Sequence, residues 1–353
     1  MTDNAVELTV PSGAPKPASA RLSDVAAHAG VSTKTVSRVV NNEPNVRPQV
    51  RERVMRSVSA LGYRPNAAAR ALVTQRTHQI GLITTASSLY GPTAGLFSLE
   101  QAAWKAGYAL TLSTVREPSE PELEEAIHYL LARGVEGVVI SGATGVLHLA
   151  PSAFAGLPVV SSSPVSDGAP NHVVVDTDQP MGARSAVHHL HALGHRRIAH
   201  IAGPLSWHAA VQRRDGWLQG MEDVGLEPGP VLEGDWSAKS GYEAALRLNR
   251  AEATAVFIAN DHMAMGAVRA FTEKGSHVPG DMSVVGFDDV PEAAYQMVPL
   301  TTVRQDFAAG AERSVRELVR LIEGQTVENR SVSLPTELII RSSTAPVAAM
   351  DTA

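Results

Sequence analysis

The sequence predicts an α/β fold with a small helical N-terminal domain and a large core of parallel sheets. Apolar residues recur at helical spacing within residues 21–65, which indicates a three-helix domain. From Gln79 onward, short β-branched segments alternate with helical ones, which favours two doubly wound parallel-sheet subdomains over residues 77–343. The chain has 353 residues, of which 44% are hydrophobic, so it can bury a substantial core in more than one domain.

Both ends of the chain are expected to lack regular structure. Residues 1–20 are rich in Pro, Ala and Ser, which predicts a disordered tail, and residues 344–353 are expected to form a second tail. The N-terminus has no basic stretch followed by an apolar one, as a secretory signal would. The chain has no apolar run of membrane-spanning length and no cysteine for a disulfide framework. We therefore expect a cytoplasmic protein without membrane contact.

The segment Arg21–Asn42 is the most informative part of the chain. Its apolar residues outline two short amphipathic helices on either side of the tight turn Gly30–Ser32, which is the pattern of a helix-turn-helix. Ser32 is a good N-cap for the second helix. The outer face of that helix then carries polar and basic side chains, as a DNA-recognition helix does. The apolar positions are Leu22, Val25, Ala26, Ala29, Val36, Val39 and Val40.

Charge separates this segment from the rest of the chain. Residues 21–76 hold ten lysines and arginines against three acids, a net charge of +7, whereas the whole chain carries −6. A small basic domain on an acidic body is typical of a head that binds nucleic-acid phosphates. The alternative is an ordinary helical bundle with a solvated basic face.

A third helix and a short linker helix are expected to follow. Pro48 begins a run with apolar residues at helical spacing, and Gly62 is a natural C-cap, so this helix should complete the head. Asn66 can cap a further helix over Ala67–Val73. Because a helix of about two turns is marginal in water, we expect residues 66–76 to be largely unfolded until a partner orders them.

These motifs resemble those of the LacI/GalR family of bacterial regulators, and the resemblance extends from the head to about residue 341. The family combines a DNA-binding head, a hinge helix and a core like that of periplasmic binding proteins. The matching motifs in the head and hinge are Asp24–Ala26, Ala29–Ser32, Thr35–Asn41, Gly62–Asn66 and Ala69–Leu72. Those in the core are Ala202–Ser206, Glu233–Ala238, Ala259–Asp261, Ser283–Asp289 and Leu300–Thr302.

The resemblance implies how head and hinge bind DNA. Thr33, Lys34 and Arg38 are expected to contact base edges in the major groove, although Lys34 can equally contact only a phosphate. The hinge helix is implied to fold on the operator and to insert Leu72, beside Arg70, into the minor groove. The alternative is a plain linker with Leu72 packed on the core. The residues predicted to bind DNA are Ser32, Thr33, Lys34, Thr35, Ser37, Arg38, Asn41, Tyr63, Asn66, Arg70 and Leu72.

The predicted strands of the core form two sets. The resemblance implies crossovers between the subdomains near residues 177, 303 and 324. The N-subdomain is then residues 77–177 and 304–324, and the C-subdomain is residues 178–303 and 325–343. In such sheets ligands bind beyond the carboxyl ends of the strands, so both sets can face one cleft. The strands are Ile80–Thr84, Ala109–Val115, Val135–Ser141, Val159–Ser162 and His172–Val175, followed by Arg197–Ala202, Ala255–Ala259, Met282–Phe287 and Leu334–Ile340.

In the family, residues that match positions of this chain bind a sugar in that cleft. Arg213, Asn260 and Asp288 are implied to hold sugar hydroxyls, since a guanidinium, an amide and a carboxylate can each grip adjacent hydroxyls. Trp236 is implied to stack on the apolar face of the sugar. Gln305 and Phe307 match positions near the site. The predicted effector-binding residues are therefore Arg213, Trp236, Asn260, Asp288, Gln305 and Phe307.

Each of these residues also has a purely structural interpretation. Asn260 and Asp261 can cap the helix that starts at His262, a role that we favour for Asp261. Asp288 can be a turn acid, and Trp236 can be simple core packing. The chain also departs from the family pattern in the N-subdomain, at Ser161–Pro164 and at Tyr90–Thr93, which leaves one end of the ligand undefined.

The sequence therefore predicts a homodimeric repressor of sugar-utilisation genes, released from a pseudo-palindromic operator by a galactoside-like sugar. It offers no motif for catalysis or for a cofactor: there is no cysteine nucleophile, no Gly-x-Ser-x-Gly elbow and no Walker-type loop. His188, His191 and His195 have helical spacing, but a helix exit explains them better than a metal site. The alternatives are a sugar-binding protein without a regulatory role and a regulator with a non-sugar effector.

Overall fold

This computed structural model describes residues 20–116, 119–142, 149–164, 171–327 and 330–347. The expected tail over residues 1–19 and the last six residues lie outside these ranges. The chain divides into two compact units between Thr77 and His78. Across the described ranges, no helix combines the length and the apolar character needed to cross a membrane.

The first unit contains the three-helix domain that the sequence predicts. Its helices are α1 (Leu22–Ala29), α2 (Thr33–Val40) and α3 (Pro48–Ala60). Ser32 caps α2 as expected, because its Oγ accepts the backbone N–H of Thr35 at 3.2 Å. Gly30 ends α1 with φ +63°, the left-handed conformation that glycine adopts most easily. One valine from each helix is fully buried at the centre of the domain, namely Val25, Val36 and Val54.

The linker after the head is helical, where we expected a largely unfolded segment. Helix α4 spans Ala67–Thr74. Asn66 caps it by accepting the N–H of Ala69 at 3.3 Å, and the hydroxyl of Thr74 donates to the carbonyl of Arg70 at 2.9 Å. These local hydrogen bonds support a helix that length alone would make marginal. The side chain of Leu72 is 85% exposed on this helix.

The second unit contains two six-stranded sheets. The first comprises β1 (Gln79–Thr85), β2 (Ala109–Val115), β3 (Val138–Ile140), β4 (Val159–Ser161), β5 (His172–Thr177) and β11 (Ser331–Leu334). The second comprises β6 (Ile198–Ala202), β7 (Val231–Glu233), β8 (Ala255–Ile258), β9 (Ser283–Asp288), β10 (Thr301–Arg304) and β12 (Glu337–Ile339). Their orders are β11-β5-β4-β3-β1-β2 and β12-β10-β9-β8-β6-β7. The pairing is parallel throughout except for β12, which runs antiparallel to β10.

Helices cover both faces of each sheet, which confirms the doubly wound prediction. Neighbouring residues of a strand belong to different apolar clusters: Leu82 lies on one face of the first sheet and Ile83 on the other. Val256 and Phe257 divide in the same way in the second sheet. The covering helices are α5 (Tyr90–Lys105), α6 (Glu120–Leu131), α7 (Gln179–Ala192), α8 (His208–Asp223), α9 (Ala238–Arg247), α10 (Asp261–Glu273) and α11 (Phe307–Ile322).

The chain passes between the two sheets three times, and the third passage is not where we expected it. The first two lie between Thr177 and Gln179 and between Arg304 and Phe307. The third lies between Leu334 and Glu337 rather than near residue 324, because β11 still pairs with β5 of the first sheet. The segment predicted as one strand, Leu334–Ile340, is therefore divided between the sheets. Pro335, which has no N–H to donate, stands at the break.

The C-terminal residues are also more ordered than predicted. Residues 344–347, assigned to a tail, pack against α7 and the loop that follows it: the hydroxyl of Thr344 lies 3.0 Å from Nε2 of His189, and the carbonyl of Ala345 lies 3.1 Å from Nε2 of His195. Burial lowers the pKa of both histidines, because it disfavours the charged form of each ring. His188 pairs instead with Asp223 at 3.2 Å. His188, His189 and His195 thus each contact a different partner.

Candidate functional site

A cleft lies between the two subdomains, beyond the carboxyl ends of the strands of both sheets. Its lining includes the last residues of β4, β5 and β9 and the residue that follows β8 by two positions, Asn260. The cavity measures about 200 Å³. Since one water occupies roughly 10–15 Å³ on the same measure, this space accommodates a small molecule.

The floor of the cleft is a closed ring of four buried polar side chains. Arg213 Nε donates to Gln179 Oε1 at 2.9 Å, and Gln179 Nε2 donates to Gln305 Oε1 at 2.7 Å. Gln305 Nε2 donates to Asp288 Oδ1 at 2.7 Å, and the same carboxylate oxygen lies 3.3 Å from Nη2 of Arg213. Each member is positioned by two others. Such fully connected networks hold polar groups rigidly in a buried site.

Arg213 is the cation of this ring and is only 5% exposed. Burial lowers the pKa of its guanidinium, while the carboxylates of Asp288 and Asp261 raise it. Its Nη1 also donates to the carbonyl of Ala259, and its guanidinium carbon lies 3.9 Å from the ring centroid of Phe287. These contacts compensate for the burial of the charge. The neighbouring Arg214 pairs with Asp215 instead, at 2.7 Å.

Asp288 ends β9 in a conformation that few residues adopt. Its φ is +107°, and its side chain is 7% exposed. Burial raises the pKa of its carboxyl group, and the nearby Arg213 acts in the opposite direction. Both ring contacts use Oδ1, so Oδ2 takes no part in the ring. Backbone strain at a buried polar residue is characteristic of functional sites.

Asn260, and not Asp261 as we expected, caps α10. Asn260 is the N-cap of α10, since its Oδ1 accepts the N–H of Met263 at 2.9 Å, and it also lines the cleft. Asp261 is fully buried and holds the backbone N–H of Val290 and the hydroxyl of Thr302. Burial raises the pKa of Asp261 well above its ordinary value. The cap interpretation therefore holds for Asn260, and Asp261 fixes the loop behind Asp288.

Trp236 forms an aromatic wall of the cleft together with Trp207. The two indoles meet edge to face, with ring centroids 5.7 Å apart. Trp236 has φ +72° and is 5% exposed, and any Cβ at Gly203 would collide with its indole. The absence of a side chain at Gly203 therefore leaves the space that the indole occupies. Trp236 both packs in the apolar core and lines the cleft.

The N-subdomain supplies the opposite wall. Phe307 and Tyr90 make an edge-to-face contact with centroids 5.8 Å apart. At the segment that departs from the family pattern, the hydroxyl of Ser161 lies 2.7 Å from Nε2 of His172 and donates to the carbonyl of Ser163. The six predicted effector residues all line this one cleft. Their role in ligand binding stays a prediction.

In the head, the outer face of α2 presents the side chains predicted to contact bases. Thr33, Lys34 and Arg38 are exposed. Arg38 Nε lies 3.1 Å from the carboxylate of Glu43 in the loop that follows. Arg51 of α3 holds this loop by donating to the carbonyl of Glu43 at 2.8 Å. Arg51, one of the ten basic residues of the head and hinge, therefore has a structural role in holding the loop next to Arg38.

The remaining predicted DNA contacts divide into two groups. Ser32, Asn41 and Asn66 make local hydrogen bonds that order the helix ends, the amide of Asn41 donating to Ser37 Oγ at 3.3 Å. Tyr63 is half-buried against the core of the head. Thr35 and Ser37 are half-buried on α2, and Arg70 is exposed on α4.

Comparison with known proteins agrees with this architecture. Residues 21–66 match the profile described as "Bacterial regulatory proteins, lacI family", and residues 187–344 match that of a periplasmic binding protein-like domain. The lactose operon repressor of Escherichia coli (strain K12) is 37% identical over 331 residues, which cover 92% of this chain and 90% of that repressor. The chain belongs to the lacI family.

This lacI-family protein resembles further repressors over most of their length. The transcriptional repressor PurR of Mannheimia succiniciproducens is 33% identical, covering 93% of this chain and all of that protein. A solved structure of the lac repressor dimer bound to operator and the anti-inducer ONPF has a TM-score of 0.81 at 36% identity, covering 92% of this chain and 99% of the other. A complex of the regulator CelR with cellobiose has a TM-score of 0.68 at 33% identity, with the same coverage.

The family makes this chain a DNA-binding transcriptional regulator and not an enzyme. A sugar-binding protein without a regulatory role does not fit this membership.

Sequence reasoning missed several residues that line the cleft, among them Asp176, Gln179, Trp207 and Gln212. Asp176 lies near the carboxyl end of β5, so the rule that ligands bind beyond strand ends could have found it. Trp207 and Gln212 lie at the start of α8 and within it, and nothing in their local pattern distinguishes them from surface residues. Gln179 enters the site only because the first crossover brings it beside Gln305.

Proposed function

We propose that this regulator is a cytoplasmic homodimeric repressor, which binds a pseudo-palindromic operator and leaves it when a sugar occupies the cleft. One observation carries the proposal: the buried ring of the cleft includes residues of the crossover segments. Gln179 directly follows the first crossover, and Gln305 lies within the second. A ligand that contacts the ring therefore acts on the segments that join the subdomains, where a change in their relative angle must occur.

The chemistry of the cleft supports a sugar. It combines a guanidinium, a carboxylate and amides with the indoles of Trp207 and Trp236, and such pockets hold hydroxyls while covering an apolar face. The solved relatives include a complex with cellobiose and one with the anti-inducer ONPF. A galactoside-like sugar is the effector that we propose for this chain.

The head supports a dimer on a two-fold symmetric site. A single helix-turn-helix contacts few base pairs, so two heads at half-site spacing supply both affinity and specificity. The lac repressor of the solved complex is a dimer on its operator. Ligand and operator binding must then be coupled reciprocally, each weakening the other by the same factor.

Selection of duplexes from a random DNA pool by the full-length protein tests the DNA-binding part. We expect a pseudo-palindromic consensus, and we expect Arg38→Ala to abolish preference at one base of each half-site. Arg53→Ala removes the same charge from the exposed face of α3 and should weaken binding without changing the consensus. If the wild type selects no common sequence from the pool, the proposal is contradicted. If Arg38→Ala selects the same consensus as the wild type, Arg38 does not recognise a base.

A further inference from the structure

The cleft contains a second polar group, apart from the ring, that joins the two subdomains. Asp176 near the end of β5 belongs to the first sheet, and Gln212 belongs to α8, which packs on the second. Gln212 Nε2 donates to Asp176 Oδ2 at 3.2 Å across the cleft. The backbone N–H of Thr177 donates to Oδ1 at 2.8 Å. Both residues line the cavity.

This group and the neighbouring indole leave two buried atoms unsatisfied. Gln212 Oε1 and Trp236 Nε1 are buried, and neither has a hydrogen-bond partner among the described residues. The first can only accept a hydrogen bond and the second can only donate one. Because buried polar atoms without partners are costly, a ligand that offers an acceptor to Trp236 Nε1 and a donor to Gln212 Oε1 would bind more favourably.

The charges of the lining restrict the ligand further. Three carboxylates, those of Asp176, Asp288 and Asp306, line the cleft with the single guanidinium of Arg213, which the ring already pairs with Asp288. Burial raises the pKa of both Asp176 and Asp288, because it disfavours the negative charge of each carboxylate. A phosphate or carboxylate on the ligand would add a negative charge beside them, and it would offer only acceptors.

We infer that Asp176 and Gln212 form a hydroxyl-binding subsite, and that the effector is an uncharged polyhydroxy compound rather than a sugar phosphate or a sugar acid. A hydroxyl is the group that can donate to Gln212 Oε1 or Asp176 and accept from Trp236 Nε1. The inference rests on the proposed sugar effector and specifies its class. It also gives Asp176 and Gln212 a role in selecting the ligand.

Titration calorimetry of the full-length protein with matched ligands tests this inference. The panel is galactose, lactose, cellobiose, galactose 6-phosphate, galacturonic acid and hypoxanthine. We expect at least one neutral sugar to bind. We expect galactose 6-phosphate and galacturonic acid to bind at least roughly 10-fold more weakly than that sugar. Gln212→Leu and Asp176→Asn should each weaken the neutral sugar by a similar factor. Gln219→Leu, an exposed glutamine on the same helix, should leave it unchanged.

An unchanged thermal unfolding transition of each variant establishes that its core is folded, and retained binding to duplex DNA establishes the same for the head. The inference is overturned if galactose 6-phosphate or galacturonic acid binds more tightly than the neutral sugars, or if Gln212→Leu and Asp176→Asn both leave the sugar affinity unchanged. Either result leaves the proposal of a sugar effector in place. Binding of hypoxanthine alone, or of no member, would instead contradict the sugar effector and the inference that rests on it.

Discussion

Asp288→Asn is expected to abolish release of the operator by sugar while leaving operator binding within a few-fold of the wild type. The substitution preserves volume and can still accept the hydrogen bond of Gln305, but it removes the negative charge that faces Arg213 at 3.3 Å. Hydrogen bonds to charged groups contribute about 1.5–3 kcal/mol, so we expect sugar affinity to fall roughly 10- to 100-fold. Operator release measured against sugar concentration, with calorimetry of the sugar, gives both quantities.

The matched control is Asp215→Asn, the same chemical change at an exposed carboxylate on α8. It should leave both sugar affinity and operator release unchanged. If Asp288→Asn releases the operator at the wild-type sugar concentration, Asp288 is not part of the binding site. If operator binding is lost as well, the ring is needed to maintain the fold. The loss of operator release is then not evidence that Asp288 binds sugar.

Leu72→Ala is expected to weaken operator binding roughly 10- to 100-fold, with sugar affinity unchanged. Leu72 is 85% exposed on α4, so its removal costs little in the free protein. Full burial of a leucine contributes about 1.5–3 kcal/mol, which the complex would lose if this side chain inserts between base pairs. Fluorescence anisotropy of a labelled operator duplex measures the loss directly.

The control for this prediction is the next residue along the helix. Val73 is exposed to the same extent, 85%, but projects about 100° further round α4. Val73→Ala should therefore change operator affinity much less than Leu72→Ala. Equal effects of the two substitutions would indicate a general loss of helix stability or of apolar surface, and unchanged affinity in Leu72→Ala would remove Leu72 from the minor groove.

Much of the fold can be predicted from the sequence because its signals are local. The turn at Gly30–Ser32 and the alternation of strands and helices depend on residues close together in the chain. What escaped prediction depends on distant partners. Strand β11 forms because it pairs with β5, about 160 positions earlier. Strands β7 and β10 have only three and four residues. Their local pattern is therefore too short to indicate a strand.

The candidate site divides in the same way. Trp236 and Asn260 follow strand ends and Asp288 ends β9, all within motifs that the family resemblance identifies, and they line the cleft. Their hydrogen-bond partners could not be predicted, because Gln179 and Gln212 are helix residues whose neighbours are set by the packing of the subdomains. The structural role of Asp261, which we expected to cap α10, has a similar origin. The carboxylate reaches Thr302 of β10, a contact that no local pattern contains.

The central claim is that one small molecule in the cleft controls DNA binding by the head. The most direct measurement is a mobility shift of the selected operator with the full-length protein, with and without saturating neutral sugars. We predict that one sugar lowers operator affinity about 5- to 150-fold, the range of typical allosteric coupling. Operator affinity that no sugar changes, or that a bound sugar increases, would contradict release by a sugar effector.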